Sequence, residues 1–124
     1  MEKIDILLAT YNGSKYLHEQ LDSILNQSYG NINVIIRDDG SSDNTVMIIK
    51  EYEQKDSRVR LLNDNLGNLG FVRNFEELMK NSTSEYLMFS DQDDIWYNDK
   101  VEISYVRMKE VEYIYGKSCP ILVH

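Results

Sequence analysis

The sequence predicts an α/β fold in which helices flank a mostly parallel β-sheet. Short apolar runs alternate with longer segments whose apolar residues recur at helical spacing, and this alternation is typical of βαβ units. The apolar runs carry little charge along their length, as strands do when helices cover both faces of a sheet. Turn-forming or acidic residues follow each of the first four runs, which marks the ends of strands.

Two strands and the helix between them can be read from the start of the chain. Residues 4–9 form an apolar run that stops at the turn sequence TYNG. An apolar stripe at i, i+4, i+7 and i+8 predicts the helix, and it consists of Leu17, Leu21, Ile24 and Leu25. Residues 32–37 are the second run, closed by DDGSSD. Gly40 permits a tight turn there, and Ser42 or Asp43 can cap the next helix.

The same alternation continues to the end of the chain. The second helix has one face formed by Val46, Ile49 and Tyr52. Residues 58–62 alternate briefly as a third strand, before the loop NDNLGNLG. The third helix is marked by Phe71, Phe75, Leu78 and Met79. Residues 85–90 are the fourth strand, and residues 120–124 begin a fifth. The helix between them is predicted by Val101, Tyr105, Met108 and Val111 or Tyr115.

Charge and composition narrow the range of partners. The chain has 13 basic and 21 acidic side chains and a net charge of −8, which argues against nucleic acid or an anionic membrane as a partner. The single cysteine, Cys119, cannot form an internal disulfide, so we expect a reduced, cytoplasmic setting. No apolar run approaches the ~20 residues that cross a bilayer, so we expect no transmembrane segment in this chain.

The chain stops inside an apolar run, with no turn, helix or polar tail after it. A domain rarely ends in the middle of a core strand, and no Pro- or Gly-rich linker divides residues 1–124. We therefore expect the front portion of one longer domain. An unfinished sheet would expose an apolar edge, which predicts self-association through that edge.

Three unusual segments follow predicted strands: TYNG, RDDGSSD and SDQDDIW. Ligands of open α/β sheets bind at the carboxyl ends of the strands, where these segments should converge. Asp91 and Asp93 are two residues apart, so on an extended segment their side chains point the same way. Such a pair can hold Mg²⁺ or Mn²⁺, which prefer oxygen ligands. Alternatively the acids solvate a loop and cap the next helix, as we expect for Asp94 or Asp99.

Other side chains near these strand ends leave alternatives open. A carboxylate of Asp38 or Asp39 can accept a hydrogen bond from a nucleobase N–H or a ribose hydroxyl, or can serve the turn alone. Tyr11 can stack on a base or pack half-buried. Arg73 stands near a helix start, where a cation is unfavourable, so it contacts a ligand or is simply solvated. Nothing indicates a Ser–His–Asp or Cys–His arrangement, which argues against covalent acyl transfer.

Four ordered segments, ILLATYNG, IIRDDGSSDNT, NLGNLGFVRNF and YLMFSDQDDIW, resemble successive blocks of the family 2 glycosyltransferases of the GT-A fold. They span nearly the whole chain, and SDQDDIW is similar to the form in bacterial rhamnosyltransferase-like members. The resemblance implies a hexosyltransferase that uses a nucleoside-diphosphate-sugar donor and a glycan or lipid-linked acceptor. It implies metal-dependent, inverting transfer in bacterial cell-surface polysaccharide synthesis, in the cytoplasm or at the inner face of the membrane.

The resemblance also implies roles for individual residues. The positions that hold base and ribose match Thr10, Tyr11, Asp39 and, beside them, Asp38. Arg73 matches a basic position near the nucleotide. Asp91 and Asp93 match the acidic motif that meets the diphosphate through Mg²⁺ or Mn²⁺, with Asp93 the direct metal ligand. Inverting transfer needs a general base, which we expect beyond residue 124, so no catalytic residue is assigned and the isolated fragment is expected to be inactive.

Three other functional classes compete with this interpretation. A receiver-type signalling domain would need acids after the first strand, where TYNG stands, and an acceptor aspartate after the third, where NDN stands. A Toprim-like domain also uses D-x-D but acts on nucleic acid, which the negative charge argues against. A nucleotide-sugar-binding module without transfer activity would differ only in what a following segment does.

Overall fold

A computed structural model describes residues 2–91, 94–115 and 122–123. Strands and helices alternate through the described chain, which confirms the predicted α/β class. The strands are β1 (Ile4–Thr10), β2 (Ile32–Asp38), β3 (Val59–Leu61), β4 (Tyr86–Ser90) and β5 (Leu122–Val123). The helices are α1 (Ser14–Leu25), α2 (Thr45–Lys55), α3 (Phe71–Lys80) and α4 (Lys100–Tyr115).

The described strands form a five-stranded sheet in the order β3-β2-β1-β4-β5, and each pairing is parallel. The chain builds outward from β1 to β2 and β3, then returns to the other side of β1 with β4. This reversal creates a crevice at the carboxyl ends of the central strands, where doubly wound sheets bind ligands. A receiver domain has β1 beside β3. The observed β1–β4 pairing shows that the receiver-type alternative is wrong.

All seven residues of β1 are buried, as expected for a central strand with helices on both faces. Ile4, Ile6 and Leu8 pack in one cluster with apolar residues of α1, α2 and α4. Leu7 and Ala9 point the opposite way and pack with α3. In the described part of the chain, the helices therefore cover the two faces of the sheet unequally. Three helices pack on one face, and α3 packs on the other.

All four predicted helices are present in the structure. The α1 stripe is confirmed, with Leu17, Leu21 and Ile24 buried. The helix predicted from Phe71, Phe75, Leu78 and Met79 is confirmed as α3, although Phe71 is 68% exposed and Met79 is 44% exposed. The buried residues of this helix are Asn74, Phe75 and Leu78. Among the residues described, no helix is both long enough and apolar enough to cross a bilayer.

Candidate functional site

Strand register brings the three polar segments to one edge of the sheet. Thr10, at the end of β1, lies opposite Asp38, at the end of β2. On the other side of β1, Leu8 lies opposite Ser90, so Asp91 follows at the level of Ala9. The ends of β2, β1 and β4 therefore lie side by side, with an acidic residue at or just beyond each outer strand.

The Asp38 carboxylate organises the turn after β2. Its Oδ1 accepts hydrogen bonds from the Thr10 hydroxyl (2.8 Å) and the Ser41 hydroxyl (2.6 Å). Its Oδ2 accepts from the backbone N–H groups of Ser41 (2.7 Å) and Gly40 (3.2 Å). Gly40 has φ +92°, a backbone region that favours glycine, as the predicted tight turn requires. In this structure Asp38 and Thr10 thus bond to each other and to the turn.

Asp39 fastens the loop 63–70 to the end of β2. It is 5% exposed, and its Oδ1 accepts hydrogen bonds from Arg37 Nη1 (3.1 Å) and the Leu69 backbone N–H (2.7 Å). Its Oδ2 accepts one from the Gly70 backbone N–H (3.0 Å). Gly70 has φ +83° and directly precedes α3, so the same contact also sets where that helix begins. Asp39 therefore shapes the site from within its wall.

Arg37 was not singled out from the sequence, yet it holds the residues around the end of β2 together. Its guanidinium is buried, and all five N–H donors are used, since Nη1 bonds Asp39 and Asn74 (3.0 Å). Nε and one Nη2 donor bond the two oxygens of Asp64 (2.9 and 3.1 Å), and Nη2 also reaches the Gly67 carbonyl (2.8 Å). Its hydrogen bonds to Asp64, and to a smaller extent to Asp39, raise the pKa of Arg37, although burial alone would lower it. A charged residue at the end of an otherwise apolar strand was the available signal.

A cleft of about 440 Å³ opens between the end of β1 and the start of α3, and we call it the β1–α3 cleft. It is lined by Ala9, Thr10, Tyr11, Asp39, Asn68, Gly70, Phe71 and Asn74. Tyr11 is 50% exposed and Phe71 is 68% exposed, so two aromatic rings stand at a surface opening with polar groups beneath them. Such a lining suits a flat, partly polar ring.

The structure brings Thr10, Tyr11 and Asp39 together in this lining, whereas Arg73 is not among the lining residues. Arg73 is exposed on α3, and none of the residues described forms a hydrogen bond or ion pair with it. Its predicted contact with a nucleotide stays a prediction. Asn68 and Asn74 were not singled out from the sequence. Asn74 owes its place to Arg37, with which it exchanges two hydrogen bonds.

Asp91 differs from the other acids at this edge of the sheet. It is exposed, and no hydrogen bond to its carboxylate comes from any residue in the described part of the chain. Asp94 instead accepts a hydrogen bond from the Trp96 indole (3.1 Å), in keeping with the local role expected for it. Asp93, the predicted direct metal ligand, lies outside the described residues. Residues 2–91 and 94–113 contain no group of three or more side chains that could hold a metal.

Asp43 joins the start of α1 to the start of α2. Its Oδ2 accepts a hydrogen bond from the Ser14 backbone N–H (3.2 Å), and its Oδ1 accepts from the Thr45 backbone N–H (3.0 Å). The helix boundary falls at Asn44, yet Asp43 supplies the carboxylate for the first amide of each helix. The hydrogen bond from the Thr45 hydroxyl is the main cause that lowers the pKa of Asp43 to about 2.

The lowered pKa of Asp43 predicts a loss of stability in acid. The folded-state pKa is about 2 and the ordinary value is 3.8, so the contribution is complete above pH 3.8 and disappears as the pH falls toward 2. Asp43→Asn should therefore flatten the pH dependence of unfolding in this window, as measured by urea unfolding at several pH values. Asp99→Asn is the matched control, because Asp99 is exposed, and an equal flattening in both variants would contradict the prediction.

Comparisons of the sequence with known proteins match this chain to glycosyltransferases. The sequence profile described as glycosyl transferase family 2 matches residues 5–117. The dTDP-rhamnosyl transferase RfbG of Shigella flexneri is 39% identical over 99 residues, which cover 77% of this chain and 34% of RfbG. TuaG of Bacillus subtilis, a proposed teichuronic acid biosynthesis glycosyltransferase, is 31% identical over 118 residues, covering 94% of this chain and 43% of TuaG.

A solved structure shows the same architecture. TarS 1-349 of Staphylococcus aureus, in complex with UDP, superposes with a TM-score of 0.75 at 25% identity. The match covers 87% of this chain and 32% of the TarS chain, and it confirms the predicted GT-A fold. The chain thus spans about a third of RfbG and of TarS 1-349. Because the family profile extends over nearly all of its residues, this chain belongs to glycosyl transferase family 2.

Proposed function

We propose that residues 1–124 form the nucleotide-sugar-binding portion of one GT-A glycosyltransferase domain. The complete protein would transfer a sugar from a nucleoside-diphosphate-sugar donor to a glycan or lipid-linked acceptor in cell-surface polysaccharide synthesis. The family assignment supports the reaction class. RfbG, TuaG and TarS support the donor and the setting through their names and the UDP bound to TarS.

The observation that carries the proposal is the β1–α3 cleft. Its opening is flanked by two exposed rings, and base–aromatic stacking is worth about 1–3 kcal/mol per base. Asp39 lies in the wall, and its Oδ2 accepts one hydrogen bond from the residues described, from Gly70. A carboxylate oxygen has two lone pairs, so this oxygen can accept a further hydrogen bond from a base N–H or a ribose hydroxyl. The cleft therefore offers aromatic rings for stacking and a hydrogen-bond acceptor that can recognise the base or the ribose.

We place the diphosphate next to this cleft, at the end of β4. Asp91 lies one strand away from Asp38 across β1, and its exposed carboxylate accepts no hydrogen bond from the residues described. An exposed carboxylate with unused oxygens fits Mg²⁺ or Mn²⁺, and Asp91 with Asp93 would hold that ion. When bound, the ion would supply charge stabilisation for the departing diphosphate and would offset part of the chain's net charge of −8.

The chain's own residues then bind and orient the donor. Asp38 and Asp39 hold the turn and the loop 63–70 in place, so the walls of the cleft are formed before the ligand arrives. The general base of an inverting transfer is not assigned to a described residue. Asp94 is the nearest other acid along the chain, but its carboxylate already accepts a hydrogen bond from the Trp96 indole. We therefore do not assign it as the general base. Binding without turnover is therefore the activity expected of these residues alone.

Calorimetric titration tests the proposal. We expect one nucleoside diphosphate from a set of uridine, thymidine and guanosine diphosphates to bind, with higher affinity when Mn²⁺ is present. Asp91→Asn should remove most of that gain, because a neutral amide is a weaker ligand for a hard cation. Asp99→Asn, another exposed acid outside the cleft, is the matched control and should keep the gain.

Each part of the proposal has a result that would contradict it. Affinity that is equal with and without the ion would mean that the acids after β4 are structural. Absence of binding for the whole set would remove the donor assignment. A transfer assay with the corresponding nucleotide sugars completes the test, since robust turnover by residues 1–124 would contradict the placement of the base outside them. Binding by a longer protein that never transfers would favour the binding-module alternative.

A further inference from the structure

The segment that follows β4 is held by three polar residues. Gln20 and Ser23 belong to α1, and Gln27 lies just after this helix. Gln20 is 1% exposed and Gln27 is 7% exposed, although the apolar stripe of the same helix already supplies its core contacts. Burial of an amide is costly unless its hydrogen bonds are made, so these glutamines need polar partners.

Gln20 contacts the start of the segment. Its Nε2 donates to the Ser90 hydroxyl (3.0 Å) and to the backbone carbonyl of Asp91 (2.6 Å), which uses both of its N–H donors. Ser90 is the last residue of β4 and is itself fully buried. The amide thus ties α1 to Asp91, whose carboxylate accepts no hydrogen bond from the described residues.

The other two members hold later residues. The Ser23 hydroxyl accepts a hydrogen bond from the Trp96 backbone N–H (3.0 Å). Gln27 donates to the Tyr97 carbonyl (2.7 Å) and accepts from the Val101 backbone N–H (3.0 Å). These contacts involve the backbone, so they fix the path of the segment. Gln20 alone of the three touches Asp91.

We propose that Gln20 is a positioning residue for the Asp91 carboxylate in binding the cation and diphosphate, an inference that rests on the proposed function. The side chain and the backbone carbonyl group of Asp91 are both attached to its Cα atom. A fixed carbonyl group therefore restricts the positions that the carboxylate can reach. Without the two hydrogen bonds, the segment after β4 could shift by more than a metal site tolerates. Groups that orient metal ligands typically change metal affinity by about 10–100-fold when mutated.

Gln20→Leu removes both donors and keeps a similar volume. We expect the gain in nucleoside diphosphate affinity on adding Mn²⁺ to fall about tenfold, while the affinity for the free nucleoside stays at the wild-type value. The proposed site for the nucleoside is the β1–α3 cleft, which Gln20 does not line. Gln27→Leu is the matched control, because it is a buried glutamine bonded to the same segment beyond Asp91, and it should keep most of the Mn²⁺ gain.

Thermal unfolding of each variant checks that it is folded, and Gln20→Met, which is unbranched and lacks donors, replaces Gln20→Leu if that variant unfolds. A double variant gives a second measurement. In an Asp91→Asn background, Gln20→Leu should cause no further loss of the Mn²⁺ gain if it acts through Asp91. An unchanged gain in Gln20→Leu, or an equal loss in Gln27→Leu, would overturn the inference. A wild-type protein that shows no Mn²⁺ gain would overturn the proposed metal role itself, so the two failures are distinguishable.

Discussion

Replacing Arg37 with methionine is expected to lower the free energy of unfolding by about 3–5 kcal/mol. The substitution removes five hydrogen bonds and leaves the buried Asp39 carboxylate without its cation. Asp64 keeps more contact with water, so most of the cost should come from Asp39. The loop 63–70 and the start of α3 would lose the side chain that connects them, so nucleotide binding in the β1–α3 cleft should weaken too.

Arg60→Met is the matched control for this experiment. Arg60 lies on the neighbouring β3, is exposed and donates to the Asn81 carbonyl (3.2 Å), so its replacement should change the unfolding free energy by no more than about 0.5 kcal/mol. Urea unfolding followed by circular dichroism measures both variants. Equal losses in the two proteins would show that the buried network of Arg37 stabilises the fold no more than the single hydrogen bond of Arg60 does.

Tyr11→Ala is expected to weaken nucleoside diphosphate binding by about 10- to 100-fold. Stacking of a base on an aromatic ring contributes about 1–3 kcal/mol, and 1.4 kcal/mol corresponds to a tenfold change in affinity. Tyr11 is 50% exposed at the opening of the β1–α3 cleft, so its loss should affect the ligand far more than the fold. Titration of the same ligand with and without Mn²⁺ should show the loss under both conditions.

The control for Tyr11 is Tyr113→Ala on α4. Tyr113 is 93% exposed and does not line the β1–α3 cleft, so both ligand affinity and stability should match those of the wild type. A Tyr11→Ala protein that binds as tightly as this control would place the base elsewhere. Guanosine, uridine and thymidine should be compared as free nucleosides, because this comparison isolates the contribution of the ring from that of the phosphates.

Local patterns were sufficient to predict most of the fold. The apolar run at residues 4–9 became β1 with one residue added, and the α1 stripe is buried as predicted. These features depend on residues close together in the chain, where the periods of strand and helix are visible. The α3 helix was also predicted, but the exposure of Phe71 at the cleft opening was not, because helical periodicity does not reveal which apolar residues line a cleft.

The candidate site was predictable as a place and less so as a set of contacts. Thr10, Tyr11 and Asp39 were selected from strand ends and a family resemblance, and the structure places them in one lining. Their roles toward a ligand stay predictions, as do those of Arg73 and Asp38. The sequence does not show that the Asp39 carboxylate accepts hydrogen bonds from the loop 63–70. It also does not show that the Asp91 carboxylate accepts none from the described residues. Both facts depend on residues that folding brings close together.

The sequence by itself determined the alternation of strands and helices, the polar character of the strand ends and the family to which the chain belongs. Tertiary structure alone decided that β4 lies beside β1, and that Arg37 holds Asp39 and Asn74 in the wall of the cleft. The physical reason is the separation along the chain. Arg37 bonds Asp64, Gly67 and Asn74, which are 27, 30 and 37 residues away, and no local period or turn preference extends that far.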